Sequence, residues 1–250
     1  MKIAVLFDGM GLSRLGLQEA GHDCTGIELA PEPHYIGGLI DGDVHLADVR
    51  SPVSYLTIKD SHAVWASPPC QEISAARTQG AAVGDYTENL LGWSLALRDK
   101  FDHLEFLWVE NVKQYGRGKN DWGVLYNAAQ FEGARQNRQR VVGGHYPAPA
   151  VQREFAMYYP EMNLCPCITA TEYKWCASDT RRASRYYGRR LTVAECAYHM
   201  GLDEPLKQLI DDLQAPEWWT DRPSDWKHAK YRALGNGVPV WMAKAFGAAI

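Results

Sequence analysis

Two residues separated by 40 positions, Cys70 and Glu110, carry the clearest chemistry in this chain. Cys70 follows Ser67-Pro68-Pro69 and precedes Gln71. Paired prolines fix the backbone where it leaves an apolar run, so the thiol is held rigidly. A thiol placed there, beside a cation or a helix N-terminus, becomes a nucleophilic thiolate. The plainer alternative is a buried structural cysteine. Glu110 closes the apolar run Phe106-Leu107-Trp108-Val109 and opens Glu110-Asn111-Val112. A carboxyl group at a strand end against an apolar wall can serve as an acid, or simply as a surface cap. Near the N-terminus, Phe7-Asp8-Gly9-Met10-Gly11 joins an apolar run to an amphipathic one. Glycines there allow a sharp turn and a close approach to a ligand facing the next helix N-terminus.

These side chains need a scaffold, and the first half of the chain supplies an alternating one. Strands are predicted at Ile3–Phe7, Cys24–Leu29, Val44–Val49, His62–Ala66 and Glu105–Val109. Helices are predicted at Ser13–Ala20, Asn89–Arg98, Thr192–Met200 and Trp241–Ile250. Strands separated by helices imply an α/β fold with a parallel sheet and crossovers. Glu28 then ends the second strand, where a carboxylate takes both hydroxyls of a ribose, and Asp48 ends the third. Acids at successive strand ends favour a nucleoside-type cofactor over the plainer reading, a tight strand–helix turn with surface carboxylates. The spacing is not G-x-G-x-x-G, and these residues alone do not separate a nicotinamide dinucleotide from S-adenosylmethionine.

Composition narrows the setting. The chain has 250 residues, 26 Lys+Arg against 30 Asp+Glu, and a formal charge of -4. That argues against a protein coated in positive charge for packaging nucleic acid. No apolar run approaches the roughly 18 residues of a membrane span, and the N-terminal run is too short for a signal peptide. Six cysteines at irregular positions point to a reduced, cytoplasmic setting rather than a disulfide framework. From about Pro147 the alternation disappears and Pro, Tyr, Cys and Arg become frequent. The layout predicted is a catalytic and cofactor domain over 1–146, a small irregular lobe over 147–230, and a segment over 231–250 returning to the first domain.

Several short motifs occur together in one order: Phe7-x-Gly9-x-Gly11, Pro68-Pro69-Cys70-Gln71, Glu110-Asn111-Val112, Gln136-x-Arg138-x-Arg140, Arg190-Leu191-Thr192-x-x-Glu195-Cys196 and Gly235-Asn236-x-Val238-Pro239. In this order they resemble the cytosine-C5 DNA methyltransferase family. The resemblance implies a Rossmann-like S-adenosylmethionine-dependent methyltransferase sheet with a small second lobe. It places the cofactor against Phe7, Gly9, Gly11, Val49 and Pro69, with Glu28 on the ribose and Asp48 on the adenine. Asn236 and Val238 close its methionine side. It gives Cys70 attack on C6 of cytosine, Glu110 the N3 and amino edge, Arg140 the O2, and Arg138 a supporting part. Gln71, Ser74 and Gln136 fall on the nucleic-acid side. The base must be flipped out or already single-stranded to reach such residues.

The sequence departs from the family at three places. Leu12 stands where a second glycine is usual, and Gly133-Ala134-Arg135 stands where Gly-Val-Pro is usual, adding a positive charge near the site. Arg140 and Arg190 are 50 positions apart, so the target-recognition region is much reduced. Part of it, Arg181-Arg182-Ala183-Ser184-Arg185-Tyr186-Tyr187-Gly188-Arg189-Arg190, holds five arginines, two tyrosines and no acid. Arginine suits phosphate and guanine edges and tyrosine stacks on unpaired bases. Arg181, Arg182, Arg185 and Arg189 are therefore candidate DNA contacts, with Lys113, Arg117 and Lys119 as a second rim. Trp218, Trp219 and Trp226 read as lobe core. Cys165, Cys167 and Cys176 lack a fourth ligand, and no metal is expected. The leading expectation is methylation of DNA cytosine. The alternatives are the same chemistry on RNA or cytidine nucleotides, a catalytic subunit needing a protein partner or oligomer for recognition, and a non-catalytic binding module.

Overall fold

The computed structural model describes residues 1–29, 43–69, 85–113, 121–157, 159, 162, 164–165, 167–168, 190–204, 206–212, 214–215 and 223–250. The first strand, β1 (Lys2–Leu6), is apolar and buried along nearly its whole length, as a central strand covered on both faces must be. Its chain continues through α1 (Leu12–Glu19), β2 (Asp23–Glu28), β3 (Asp43–Leu46), α2 (Pro52–Lys59) and β4 (Ala63–Ala66). Helices α3 (Asp85–Leu95) and α4 (Leu97–Lys100) lead to β5 (Phe106–Val112). Then come β6 (Gly123–Asn127) and β7 (Gln139–His145). The chain closes with α5 (Val193–His199), α6 (Leu206–Asp212), α7 (Pro223–Asn236) and α8 (Val240–Gly247).

The strands form one seven-stranded sheet in the order β3-β2-β1-β4-β5-β7-β6. From β3 to β5 every pairing is parallel. At the other end β7 runs antiparallel to both β5 and β6. Neither strand of that pair shows a run long and apolar enough to be read from composition. β6 is half exposed along most of its length, and β7 begins on Gln139 and Arg140. The predicted 89–98 helix is likewise two helices.

The chain leaves β1 toward β2 and returns on its other side as β4, so the sheet changes direction between them. Ligands of such sheets lie beyond the carboxyl ends of the strands at that switch point. Helix caps fix the approaches to it. Ser51 accepts from the Ser54 N–H at 3.3 Å ahead of Pro52, and Thr192 and Glu195 cap each other reciprocally before α5. One face of the sheet packs an aromatic cluster in which Trp65, Trp108 and Phe246 meet at centroid distances of 5.8–5.9 Å. Above the cofactor turn a second apolar cluster joins Met10 and Leu12 to residues of α5 and α7. Trp226 is buried in it. Helix α7 runs unbroken through residue 230.

Candidate active site

The edge expected to hold the cofactor is built from backbone. Phe7, Gly9 and Gly11 all take left-handed conformations, with φ of 59°, 57° and 84°. Phe7 does so with a full side chain, a strained choice that clusters at functional turns. The Gly11 N–H donates to the Asp8 carbonyl at 2.8 Å and closes the turn. Gly9 is exposed, and a Cβ there would meet nothing but its own turn. Glu28, at the end of β2, accepts the Gly9 N–H at 2.7 Å and the Leu29 N–H at 3.0 Å. Each carboxylate oxygen thus braces backbone and keeps a lone pair for another donor. Asp48 lies just past β3, held by the Arg50 N–H at 2.8 Å and its guanidinium at 3.2 Å. Val49 beside it is buried.

The last motif closes on the first. A Cβ on Gly237 would sit 2.5 Å from Leu12, and one on Gly16 only 2.3 Å from the Val240 carbonyl. Helices α1 and α8 therefore touch backbone to backbone. Asn236 is exposed at the end of α7, whereas the Val238 side chain points into the sheet core.

The acid–arginine edge is built from side chains. The Glu110 Oε1 and Arg140 Nε lie 2.7 Å apart, with side chains only 5 % and 8 % exposed. Antiparallel pairing makes this contact. In register, Val112 faces Arg140 and Glu110 faces Val142, so both charged groups project from the same sheet face. Beside them, the Asn111 Nδ2 donates to the Pro68 carbonyl at 3.0 Å, tying the end of β5 to the segment that leads into Cys70. Asn111 is a positioning residue that motif reading quoted without a role.

Arg138 is fully buried and does not face the same opening. Its guanidinium donates to the carbonyls of Gly235 at 2.7 Å and Gly237 at 2.8 Å, to Ile168, and to the Cys167 sulfur at 3.3 Å. Burial first, and then the Arg140 charge, lower its pKa to about 10, so it stays protonated at neutral pH. It pins the last motif to residues before the Arg-rich region.

No family model matches the sequence, and no curated protein matches it. Solved structures do. A methyltransferase of Entamoeba histolytica, EhMeth, superposes with a TM-score of 0.61 at 11 % identity, covering 98 % of this chain and 95 % of that one. The Dnmt2 methyltransferase of S. pombe gives 0.59 at 16 %, covering 99 % and 96 %. A prophage-encoded protein of E. coli described as a DNA modification methyltransferase gives 0.55 at 15 %, covering 99 % and 97 %. The fold is the Rossmann-like methyltransferase fold.

Within this methyltransferase fold, two expected positions serve differently. Gln136 was placed on the nucleic-acid side; it lies wholly inside, its amide donating to the His199 carbonyl and accepting from the Ile168 N–H at 3.0 Å. Its polarity is satisfied by the protein. Arg135 brings no free charge to the site: it pairs with Asp203 at 2.9 Å and lies over the Tyr198 ring at 4.3 Å. Cys165 is buried in the apolar cluster and Cys167 lies against Arg138. Among the described residues no group of three or more His, Cys, Asp or Glu side chains could hold a metal ion. Cys70, Gln71 and Ser74 lie outside the described residues, as do Arg117, Lys119, Cys176, Arg181, Arg182, Arg185, Arg189, Trp218 and Trp219. Pro69, the last described residue before Cys70, is half-buried.

Proposed function

We propose that the chain is a DNA cytosine-C5 methyltransferase. The observation that carries this reading is the Glu110–Arg140 pair at 2.7 Å, joined through Asn111 to the segment entering Cys70. An acid and a cation fixed side by side match a cytosine's N3–amino edge and its O2. The first turn suits S-adenosylmethionine: Gly9 is open to solvent, and Glu28 retains acceptor capacity for ribose hydroxyls. Bound there, S-adenosylmethionine supplies an electrophilic methyl group.

The chain's own residues do the rest. The Cys70 thiolate adds to C6, forming the S–C6 bond and moving the C5–C6 electron pair onto C5. Glu110 at the N3–amino edge and Arg140 at O2 stabilise the electron-rich ring, and C5 would take the methyl group as its bond to the cofactor sulfur breaks, leaving S-adenosylhomocysteine. Loss of the C5 proton to a base returns that electron pair to the ring and expels Cys70 as thiolate. Arg138 supports from behind through the Gly235–Gly237 backbone. Residues 147–230 form the reduced recognition lobe, with Arg181, Arg182, Arg185 and Arg189 on phosphates and bases. So small a lobe implies a short target site, or a partner that supplies recognition. A cytoplasmic setting fits six cysteines at irregular positions in a chain of 250 residues. Among the described residues no helix is long and apolar enough to cross a membrane.

Bisulfite sequencing of plasmid from cells expressing the protein, beside Cys70→Ala, tests this reading. Converted cytosines at every site in both samples would reject it. Parallel methyl-transfer assays on duplex DNA, single-stranded DNA, tRNA and dCMP identify the polymer. Labelling confined to dCMP would replace DNA by the free nucleotide.

A further inference from the structure

Beneath the cofactor turn lies a charge pair that the proposed methyl transfer does not use. Asp8 stands between the left-handed Phe7 and Gly9, its N–H donating to the Ile27 carbonyl at 3.1 Å. Its side chain is entirely buried, and Oδ2 accepts from Arg14 Nε at 3.1 Å. Arg14, on α1, is equally buried. The other oxygen, Oδ1, is buried with no hydrogen-bond partner. Space for the carboxylate exists only because residue 26 is glycine: a Cβ there would lie 2.6 Å from Oδ2. Among the described residues, two further titratable groups on β2 face this pair. Glu28 holds the Gly9 N–H on the solvent side, and the Cys24 thiol is buried lower down, its pKa pushed up to about 12 chiefly by burial.

A buried ion pair is a poor way to gain stability, because well-packed apolar residues of similar volume do as well or better. This pair has one carboxylate oxygen unsatisfied, so it is costly even as ion pairs go. What it does accomplish is geometric. Arg14 draws the Asp8 side chain inward, between two residues whose φ values are positive, while Glu28 pulls the next N–H outward. The turn is thus held from below and from above by two carboxylates on opposite sides of the backbone.

We propose that Asp8 and Arg14 are a positioning pair that sets the conformation of the cofactor turn, so that affinity for the nucleoside part of the cofactor follows the ionisation of Asp8. The inference rests on the reading of this turn as the S-adenosylmethionine site. The ionised carboxylate is the form that grips Arg14, so binding tightens as pH rises. Burial pushes the Asp8 carboxyl up to about 7, against the pull of Arg14 and with help from the Glu28 charge. The transition therefore falls near neutrality.

The probe is 5′-methylthioadenosine, which carries the nucleoside and sulfur but no amino-acid end to titrate. Its dissociation constant is measured by calorimetry on the full chain between about pH 6 and about pH 8, above the range where ordinary carboxylates titrate. Wild type is expected to bind about threefold or more tighter at the upper end, and Asp8→Asn to bind about tenfold more weakly with a flat profile. A flat wild-type profile, or Asp8→Asn with wild-type affinity and slope, overturns the proposal. Should Asp8→Asn fail to fold, the wild-type profile decides alone. If folded wild type binds neither the probe nor S-adenosylmethionine at any pH, the cofactor reading fails as well, and the two failures are thereby told apart.

Discussion

The two ends of the sheet, each proposed to meet a polar ligand, are built in opposite ways. At the β1–β3 end the site is a backbone turn: Phe7, Gly9 and Gly11 bend it, and Glu28 binds one of its N–H groups. Its parts come from fewer than thirty consecutive residues. At the β5–β7 end the site is side chains, Glu110 against Arg140, carried by two strands that are brought together antiparallel. Their supports come from still further away, with Gln136 bound to Ile168 and His199, and Arg138 to Gly235 and Gly237. The turn can form as its own strand and helix form. The pair exists only when the whole domain has closed.

Substitutions at the two ends should therefore fail differently. Glu110→Gln keeps the shape and one hydrogen bond to Arg140 but removes the acid. Turnover is expected to fall about 10²–10⁴-fold while the urea midpoint moves little, as steady-state kinetics and denaturation will show. Arg138→Met should do the reverse, lowering unfolding free energy by about 3 kcal/mol or more because several buried carbonyls lose a charged donor. Equal losses of activity and stability in both variants would erase the distinction between the Glu110 acid and the Arg138 support. Gly16→Ala pushes a methyl group against the Val240 carbonyl at 2.3 Å. It should cost about 1–3 kcal/mol by overpacking the α1–α8 contact, also read from urea unfolding. Glu28→Gln sharpens the comparison at the turn: the dissociation constant for S-adenosylmethionine should rise about tenfold with little change in stability.

The last expectation is a pH dependence. Burial raises the Asp8 carboxyl to about 7 in the folded chain, above the value near 4 of an unfolded Asp. The folded state then holds that proton more tightly, so its contribution to stability is full below about pH 4 and is lost as pH rises toward 7. Urea midpoints at about pH 5 and about pH 8 should show the decline, and Asp8→Asn should reduce it.

Much of the turn was legible in advance. Glycines after an apolar run, and acids ending the next two runs, are local signals, and Phe7, Gly9, Glu28 and Asp48 all stand at one sheet edge. Asp8 and Arg14 were not read, although an aspartate inside a glycine turn and a glycine within β2 were visible clues. At the other end, β6 and β7 went unread because they alternate weakly and open on polar residues. Gln136 was placed outside because glutamine in a motif looks like a contact. It is interior because three distant groups, the His199 carbonyl, the Met200 sulfur and the Ile168 N–H, satisfy it.

The sequence by itself determined the strand–turn–helix units, their caps and the identity of the reactive groups, because these depend on propensity and on neighbours within a few residues. Tertiary structure decided which of those groups meet. Only the reversal of β7 carries its first residues to the edge where the parallel strands end. That brings Arg140 to Glu110 and sends Arg138 inward to the last motif. Register and strand direction are set by what the whole sheet can bury on each face. No short stretch of sequence contains that information.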